Sequence, residues 1–179
     1  MKIKKYLDFI MESSGYEFGC VMIEVPVPNW NEVISAIDPE DVYEEPGDTT
    51  HGIEDEPHLT VLYGLHKEVT EEQIKSIIDQ FENSIKIEID GVGIFENEKF
   101  DVVKFNVRPD TSLQELHNRL SELPNSDRYP EYNPHITISY VKKGRGKKYI
   151  NPDYKHTVKN SDKITYSHPS GKKTHFTLK

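Results

Sequence analysis

The sequence predicts an α+β fold: mostly antiparallel strands with packed helices in two similar halves, one His-x-Thr strand in each. Three observations carry this prediction. The segment Pro57-His58-Leu59-Thr60-Val61-Leu62-Tyr63 returns 77 positions later as Pro134-His135-Ile136-Thr137-Ile138-Ser139-Tyr140. Runs with a side-chain period of two alternate with helical stripes around both copies. A chain of 179 residues fits one compact domain built of two similar lobes. Outside the two heptapeptides no convincing sequence repeat is present, so the duplication rests on the motif pair.

The elements follow in order. Ile3, Tyr6, Leu7, Ile10 and Met11 fall at helical spacing, making residues 1–14 an amphipathic segment, flexible or processed, ahead of a single domain over 15–179. Tyr16–Val27 reads as the first strand, with Val21, Ile23 and Val25 inward and Phe18, Cys20, Met22 and Glu24 on the other face. Asn29-x-x-Glu32 resembles a capping box and opens a helix to about Ile37. The acidic stretch Asp38–Pro57 is a long loop of the kind that forms lids or binding loops. Thr70-x-x-Gln73 starts a second helix, with Ile74, Ile77, Ile78 and Phe81 as its stripe. Three strand runs follow (85–90, 92–95 and 100–107), with turns expected at Asp90-Gly91 and Asn97-Glu98. A third helix spans Thr111–Leu123 on Leu113, Leu116, Leu120 and Leu123, with His117 packed beside the stripe. After the second motif strand, Lys163–Ser167 and Lys173–Leu178 make a C-terminal hairpin.

Bulk properties narrow the function. Charged residues make up 30% of the chain, hydrophobic residues 35%, and the net charge is −9. This acidity argues against a stable complex with long nucleic acid, whose binding is dominated by phosphate neutralisation, but leaves room for a small nucleotide held by a few local cations. The single Cys20 allows no intramolecular disulfide and suits a reducing, cytoplasmic compartment; its expected role is that of a small buried hydrophobe. No stretch approaches the roughly 20 apolar residues of a membrane span.

The chemistry is in the repeated segment. In a strand, side chains at i and i+2 share a face, so His58 and Thr60 point one way and Leu59, Val61 and Tyr63 the other. His135 and Thr137 repeat the pattern against Ile136, Ile138 and Tyr140. Brought together, two imidazoles and two hydroxyls are the inventory for acid–base cleavage of a phosphodiester. One histidine takes a proton from a ribose hydroxyl or water and the other protonates the leaving oxygen. The threonines donate to the non-bridging oxygens, where charge builds up. On this reading no metal or other cofactor is required. Lys104 and Asn106 alternate against Val103, Phe105 and Val107, which puts them on the cleft side; Lys104 is either a phosphate ligand or a solvated lysine. Tyr16, Phe18 and Phe95 are stacking candidates for bases, or ordinary core and rim residues, and Trp30 is read as packing. The basic run 142–148, starting at Lys142, either draws anions to the cleft mouth or is a mobile solvated loop. His51, His66, His156, His168 and His175 lack metal-ligand spacing and are read as surface residues.

PHLTVLY and PHITISY resemble the paired H-x-[ST]-x motifs of the 2H phosphoesterase superfamily, which includes LigT-like RNA 2′,5′-ligases and cyclic phosphodiesterases. The resemblance implies two pseudo-symmetric lobes around a cleft and catalytic roles for His58, Thr60, His135 and Thr137. Three further stretches are similar to the phage anti-CBASS protein 1 group: Val27-Pro28-Asn29-Trp30 through Val42-Tyr43, HLTVLYG, and Phe95–Phe105. That likeness implies hydrolysis of cyclic di- and trinucleotide alarm signals of bacterial defence in a host cytoplasm. The N-terminal segment also resembles the delivery tags of tailed-phage internal head proteins, which are cut after an apolar-x-Glu sequence, here Ile10-Met11-Glu12. The rival readings are a 2′,3′-cyclic phosphodiesterase or 2′,5′-ligase-like enzyme acting on RNA ends, and a non-catalytic cyclic-nucleotide sponge or virion component.

Overall fold

The computed structural model describes residues 17–45, 51–127, 131–158 and 161–178. The N-terminal segment and Tyr16 lie outside the described residues. In chain order the elements are β1 (Gly19–Glu24), α1 (Trp30–Ser35), β2 (His58–Leu65), α2 (Glu71–Asp79), β3 (Ile87–Glu96), β4 (Phe100–Val107), α3 (Thr111–Ser121), β5 (His135–Lys142), a 3-10 turn (Gly146–Tyr149), β6 (Asn151–Val158), β7 (Lys163–Ser167) and β8 (Lys173–Thr177). The strands form one antiparallel sheet in the order β6-β3-β4-β5-β2-β1-β7-β8, an α+β architecture as the sequence predicts. It divides into two four-stranded halves, each with its motif strand on the inner edge. One rung joins them, Leu59 opposite Ile136.

Local sequence explains the helices. Thr70 and Gln73 form both hydrogen bonds of a capping box at the start of α2, whose Ile74 and Ile78 are buried. The Asp110 carboxylate caps α3 through the Ser112 and Leu113 amides, and Leu113, Leu116 and Leu120 face inward. The capping box expected at Asn29 does not form. Asn29 is left-handed at φ 54 with no side-chain cap, and its carbonyl instead accepts the Glu32 and Val33 amides at 2.8 and 3.1 Å. Trp30 packs in the core as expected, against Phe105.

One strand reading is corrected and one strand is added. Asp90-Gly91 is not a turn: β3 runs straight through it and absorbs the disturbance as a bulge between Ile89 and Val92, with Gly91 at φ 95. β6, not anticipated from the sequence, is a mostly exposed edge strand with only Tyr154 and Val158 packed on the core, and Pro152 breaks no ladder there. The helical stripes and one face of the sheet make the core around Leu59, Ile136, Val103 and Phe105, all at most 1% exposed. A fully buried phenylalanine such as Phe105 contributes roughly 1.5–3 kcal/mol. The opposite face of the sheet carries the candidate site.

Candidate active site

The register shows which side chains share that face. Met22 opposes Thr60 while Val21 opposes Leu62, so Val61 is an extra residue in β2. Lys104 opposes Thr137 while Val103 opposes Ser139, so Ile138 is an extra residue in β5. Val61 and Ile138 occupy the same place in the two heptapeptides. Each motif strand therefore carries one bulge directly after its threonine, and the side-chain phase slips there. His58, Thr60, His135 and Thr137 stand ahead of the slip and lie on one face, half-buried. The single rung between Leu59 and Ile136 sets the motifs antiparallel, with Thr60 beside His135 and His58 beside Thr137.

The slip overturns the expectation for the two tyrosines. Tyr63 opposes Cys20, and Cys20 shares its face with Met22. Tyr140 opposes Val102, which shares its face with Lys104. Both tyrosines thus lie on the histidine face rather than in the apolar back, and Tyr63 is 49% exposed. The available signal was the pair Val61-Leu62, two consecutive apolar residues where strict alternation allows one.

Both imidazoles are held in the same way. His58 Nδ1–H donates to the Glu56 carbonyl at 3.0 Å and His135 Nδ1–H to the Asn133 carbonyl at 2.8 Å. A carbonyl only accepts, so the neutral ring carries its proton on Nδ1 and presents the Nε2 lone pair for proton exchange. Burial pulls the pKa of both rings below the ordinary histidine value. For His58, the Glu56 carbonyl and carboxylate oppose that pull. For His135 the Asn133 carbonyl opposes it, while the Lys104 and His58 charges add to it.

Lys104 is 5% exposed. Its ammonium hydrogen-bonds the Asn106 amide oxygen and lies 4.2 Å from the centre of the Phe95 ring. Phe95 meets the His135 ring edge-on at 4.9 Å. Burial pulls the Lys104 pKa below the usual lysine value. Lys104, Asn106 and Phe95 are therefore gathered beside His135. Gly93 makes the space: it opposes Lys104 on β3, and any Cβ there would collide with the Asn106 amide.

Beyond the joining rung the two halves part, and other groups take the carbonyls left at the seam. On the β2 side, Tyr132 donates to the Thr60 carbonyl at 3.0 Å and His117 to the Val61 carbonyl at 2.7 Å, their rings stacked 4.1 Å apart. His117 thus holds the bulge in place. On the β5 side, the Glu54 amide takes the Ile138 carbonyl and the Tyr43 amide the Tyr140 carbonyl. Part of the acidic loop therefore lies along β5. Within it, the Glu54 carboxyl is buried with one oxygen lacking a hydrogen-bond partner, and burial pushes its pKa up to about 8, the Asp55 charge adding to the shift. Cys20 is a buried thiol pushed up to about 12 by burial, with Thr60 as its hydrogen-bonding neighbour.

Rings flank the centre on both sides. At one end Phe18 and Tyr63 meet edge-on at 6.2 Å, with His66 at 6.1 Å from Phe18. At the other, Tyr140, Phe100, His51 and Tyr43 form a half-buried cluster with centroids 4.8–5.5 Å apart. His51 is thus a member of this cluster and not a surface residue. Phe18 reaches the histidine face, but at the Tyr63 end rather than at the imidazoles.

The basic run is corrected as well. Lys142 lies at the far end of β5 from His135 and donates to the Glu40 carbonyl, so it is not brought to the imidazoles. The following loop is pinned rather than mobile. Fully buried Asp101 accepts the Gly144 and Gly146 amides at 2.8 and 3.1 Å. Buried Asp41 binds Lys148 at 2.6 Å and the Tyr149 hydroxyl at 2.5 Å, and these partners hold its pKa below the carboxylate range. Two aspartates far apart in sequence convert a cationic run into a fastened turn.

Among the described residues no three or more His, Cys, Asp or Glu side chains come together in a metal-binding arrangement, and no helix is long and apolar enough to cross a membrane. No curated protein sequence matches the chain. Solved structures match its fold. Usb1 of Kluyveromyces marxianus superposes with a TM-score of 0.59 at 9% identity, over 90% of this chain and 98% of that one. E. coli LigT complexed with 3′-AMP gives 0.55 at 18% identity, over 93% and 96%, and LigT complexed with phosphate gives 0.52 at 19%, over the same shares. The family model for the 2′-5′ RNA ligase superfamily matches residues 25–158, a span that contains both histidine–threonine motifs. The chain belongs to this superfamily, the 2H phosphoesterases.

Proposed function

We propose that the protein is a phosphodiesterase that hydrolyses 3′,3′-cyclic di- and trinucleotides through its two histidines without a metal, and so counters CBASS defence in a bacterial cytoplasm. The arrangement of rings carries the reading. The imidazole pair lies between two aromatic groups, Phe18 with Tyr63 and Tyr140 with its cluster, all on one side of the sheet. A phosphodiester with a nucleoside on each side of phosphorus uses both, and each base–aromatic stack is worth roughly 1–3 kcal/mol. In a cyclic oligonucleotide every phosphate has a nucleoside on each side.

The rival reading is an enzyme that opens 2′,3′-cyclic phosphates on RNA ends. The fold likeness to LigT complexed with 3′-AMP and to Usb1 complexed with uridine monophosphate favours it, since those ligands carry a single nucleoside. Incubation with cyclic dinucleotides, cyclic triadenylate and an RNA bearing a 2′,3′-cyclic end, all in EDTA, separates the readings. Turnover of the cyclic oligonucleotides supports the proposal, and turnover of the RNA end alone replaces it. Tight binding without turnover identifies a sponge.

A further inference from the structure

We propose that Lys104 makes the two histidines unequal, reserving His135 as the general base and leaving His58 as the general acid, so that the nucleophile approaches from the β4–β5 half and the leaving oxygen departs toward β1–β2. The inference rests on the phosphodiesterase reading.

The two halves place the same motif in different surroundings. Lys104 opposes Thr137 on β4, and the equivalent position on β1, opposite Thr60, is Met22. Asn106 opposes His135, and the equivalent residue opposite His58 is Glu24. The charges around His135 are Lys104 on β4 and His58 on β2, with neutral Asn106 and Phe95 completing its neighbourhood. Around His58 are the acids Glu56 on its own segment and Glu24 on β1, along with His135. Glu24 is partly spent on Lys163 of β7, 3.7 Å away. Lys104 has no such relief: among the described residues its ammonium has an amide oxygen and a ring face, and no carboxylate within ion-pair distance. A buried cation with no carboxylate partner among the described residues, beside the His135 threonine partner, repels a proton on the nearer ring and attracts the substrate phosphate.

The proton path follows. His135 Nε2 removes a proton from the attacking hydroxyl or water as its oxygen bonds to phosphorus. The bond from phosphorus to the leaving oxygen breaks, and His58 Nε2 supplies that oxygen with a proton. One proton is gained by His135 and one lost by His58, and exchange with solvent restores both rings. Thr60, Thr137 and Lys104 face the non-bridging oxygens.

Two measurements test this. The first uses the free protein with ¹⁵N-labelled histidine and needs no substrate: both imidazoles are titrated by NMR in wild type, Lys104→Met and Lys104→Arg. The methionine copies the equivalent residue of the other half. The expected result is a His135 midpoint below that of His58, which rises by about one pH unit in Lys104→Met, stays low in Lys104→Arg, and moves with little change at His58. Equal movement of both rings, or none, overturns the assignment. Identical circular dichroism and thermal melts identify a folded variant. The second uses bis(p-nitrophenyl) phosphate, whose leaving group needs no proton. His58→Ala should retain most of the wild-type rate on it while His135→Ala loses at least about a hundredfold; the reverse pattern overturns the roles. If wild type turns over no phosphodiester, the functional reading fails, and the titration still decides the effect of Lys104.

Discussion

A Cβ atom on Gly93 would stand 2.8 Å from the Asn106 amide oxygen, so the glycine and the asparagine define each other. Gly93→Ala should displace Asn106, release Lys104 from its amide partner and weaken binding of inorganic phosphate. Isothermal titration with phosphate measures it, and unchanged affinity would contradict a binding role for this corner. Asn106→Ala in the Gly93→Ala background relieves the clash without restoring the affinity.

Each histidine should be indispensable for a natural, poorly activated phosphodiester. His58→Ala and His135→Ala are each expected to lower kcat by about 10²–10⁴-fold with unchanged melting temperature at pH 8, where both rings are neutral. Steady-state kinetics on the best cyclic substrate decides the point; a fully active single mutant would falsify the acid–base pairing.

The aromatic ends should act on binding. Tyr63→Ala and Tyr140→Ala are each expected to raise KM by the loss of about 1–3 kcal/mol of stacking, with kcat much less affected. A substrate with one nucleoside should respond to only one of the two substitutions. Tyr140→Ala also opens a packed cluster, so its melt needs to be recorded beside its kinetics.

Acid should destabilise the fold through the same histidines. Both have folded-state pKa values below the unfolded value, so between those values the unfolded chain binds more protons and stability falls as pH drops below about 6.5. Thermal melts from pH 8 to 5 should show this loss, and a double His58→Ala, His135→Ala variant should flatten it.

Glu54 works in the opposite sense. Its folded pKa is raised to about 8, so the native state binds the extra proton and stability falls as pH rises from about 4.5 towards 8. Glu54→Gln keeps the shape without the ionisation and should raise Tm by several degrees at pH 8, since about 1 kcal/mol moves a domain of this size by roughly 2–4 °C. An unchanged Tm would show that the buried carboxyl is ionised and satisfied in solution.

The motif pair was legible because its signal is local: a period of two places His and Thr together however the rest of the chain folds. The leucine stripe of α3 and the capping box of α2 were legible for the same reason. Lys104 and Asn106 were placed on the cleft side by alternation alone, whereas their neighbours Phe95 and Gly93 are fixed by pairing of β3 with β4. Strict alternation misplaces Tyr63 and Tyr140, because a single inserted residue reverses the side-chain phase directly after it. The fastening of the basic turn leaves no local trace in the sequence, because its partners, Asp41 and Asp101, are distant in sequence and carry no mark of burial. β6 left little pattern, since only Tyr154 and Val158 of this mostly polar edge strand reach the core.

The single rung between Leu59 and Ile136 makes the cleft a split in a sheet and not a hollow between separate bodies. A continuous ladder would have drawn the motif strands flush along their length and left no seam for groups from outside the sheet. Tyr132, His117, and the Glu54 and Tyr43 amides act as wedges, each taking a carbonyl that the neighbouring strand does not. The width of the split is thus written in residues outside both motifs, so two chains with identical heptapeptides and different wedges would accept substrates of different breadth.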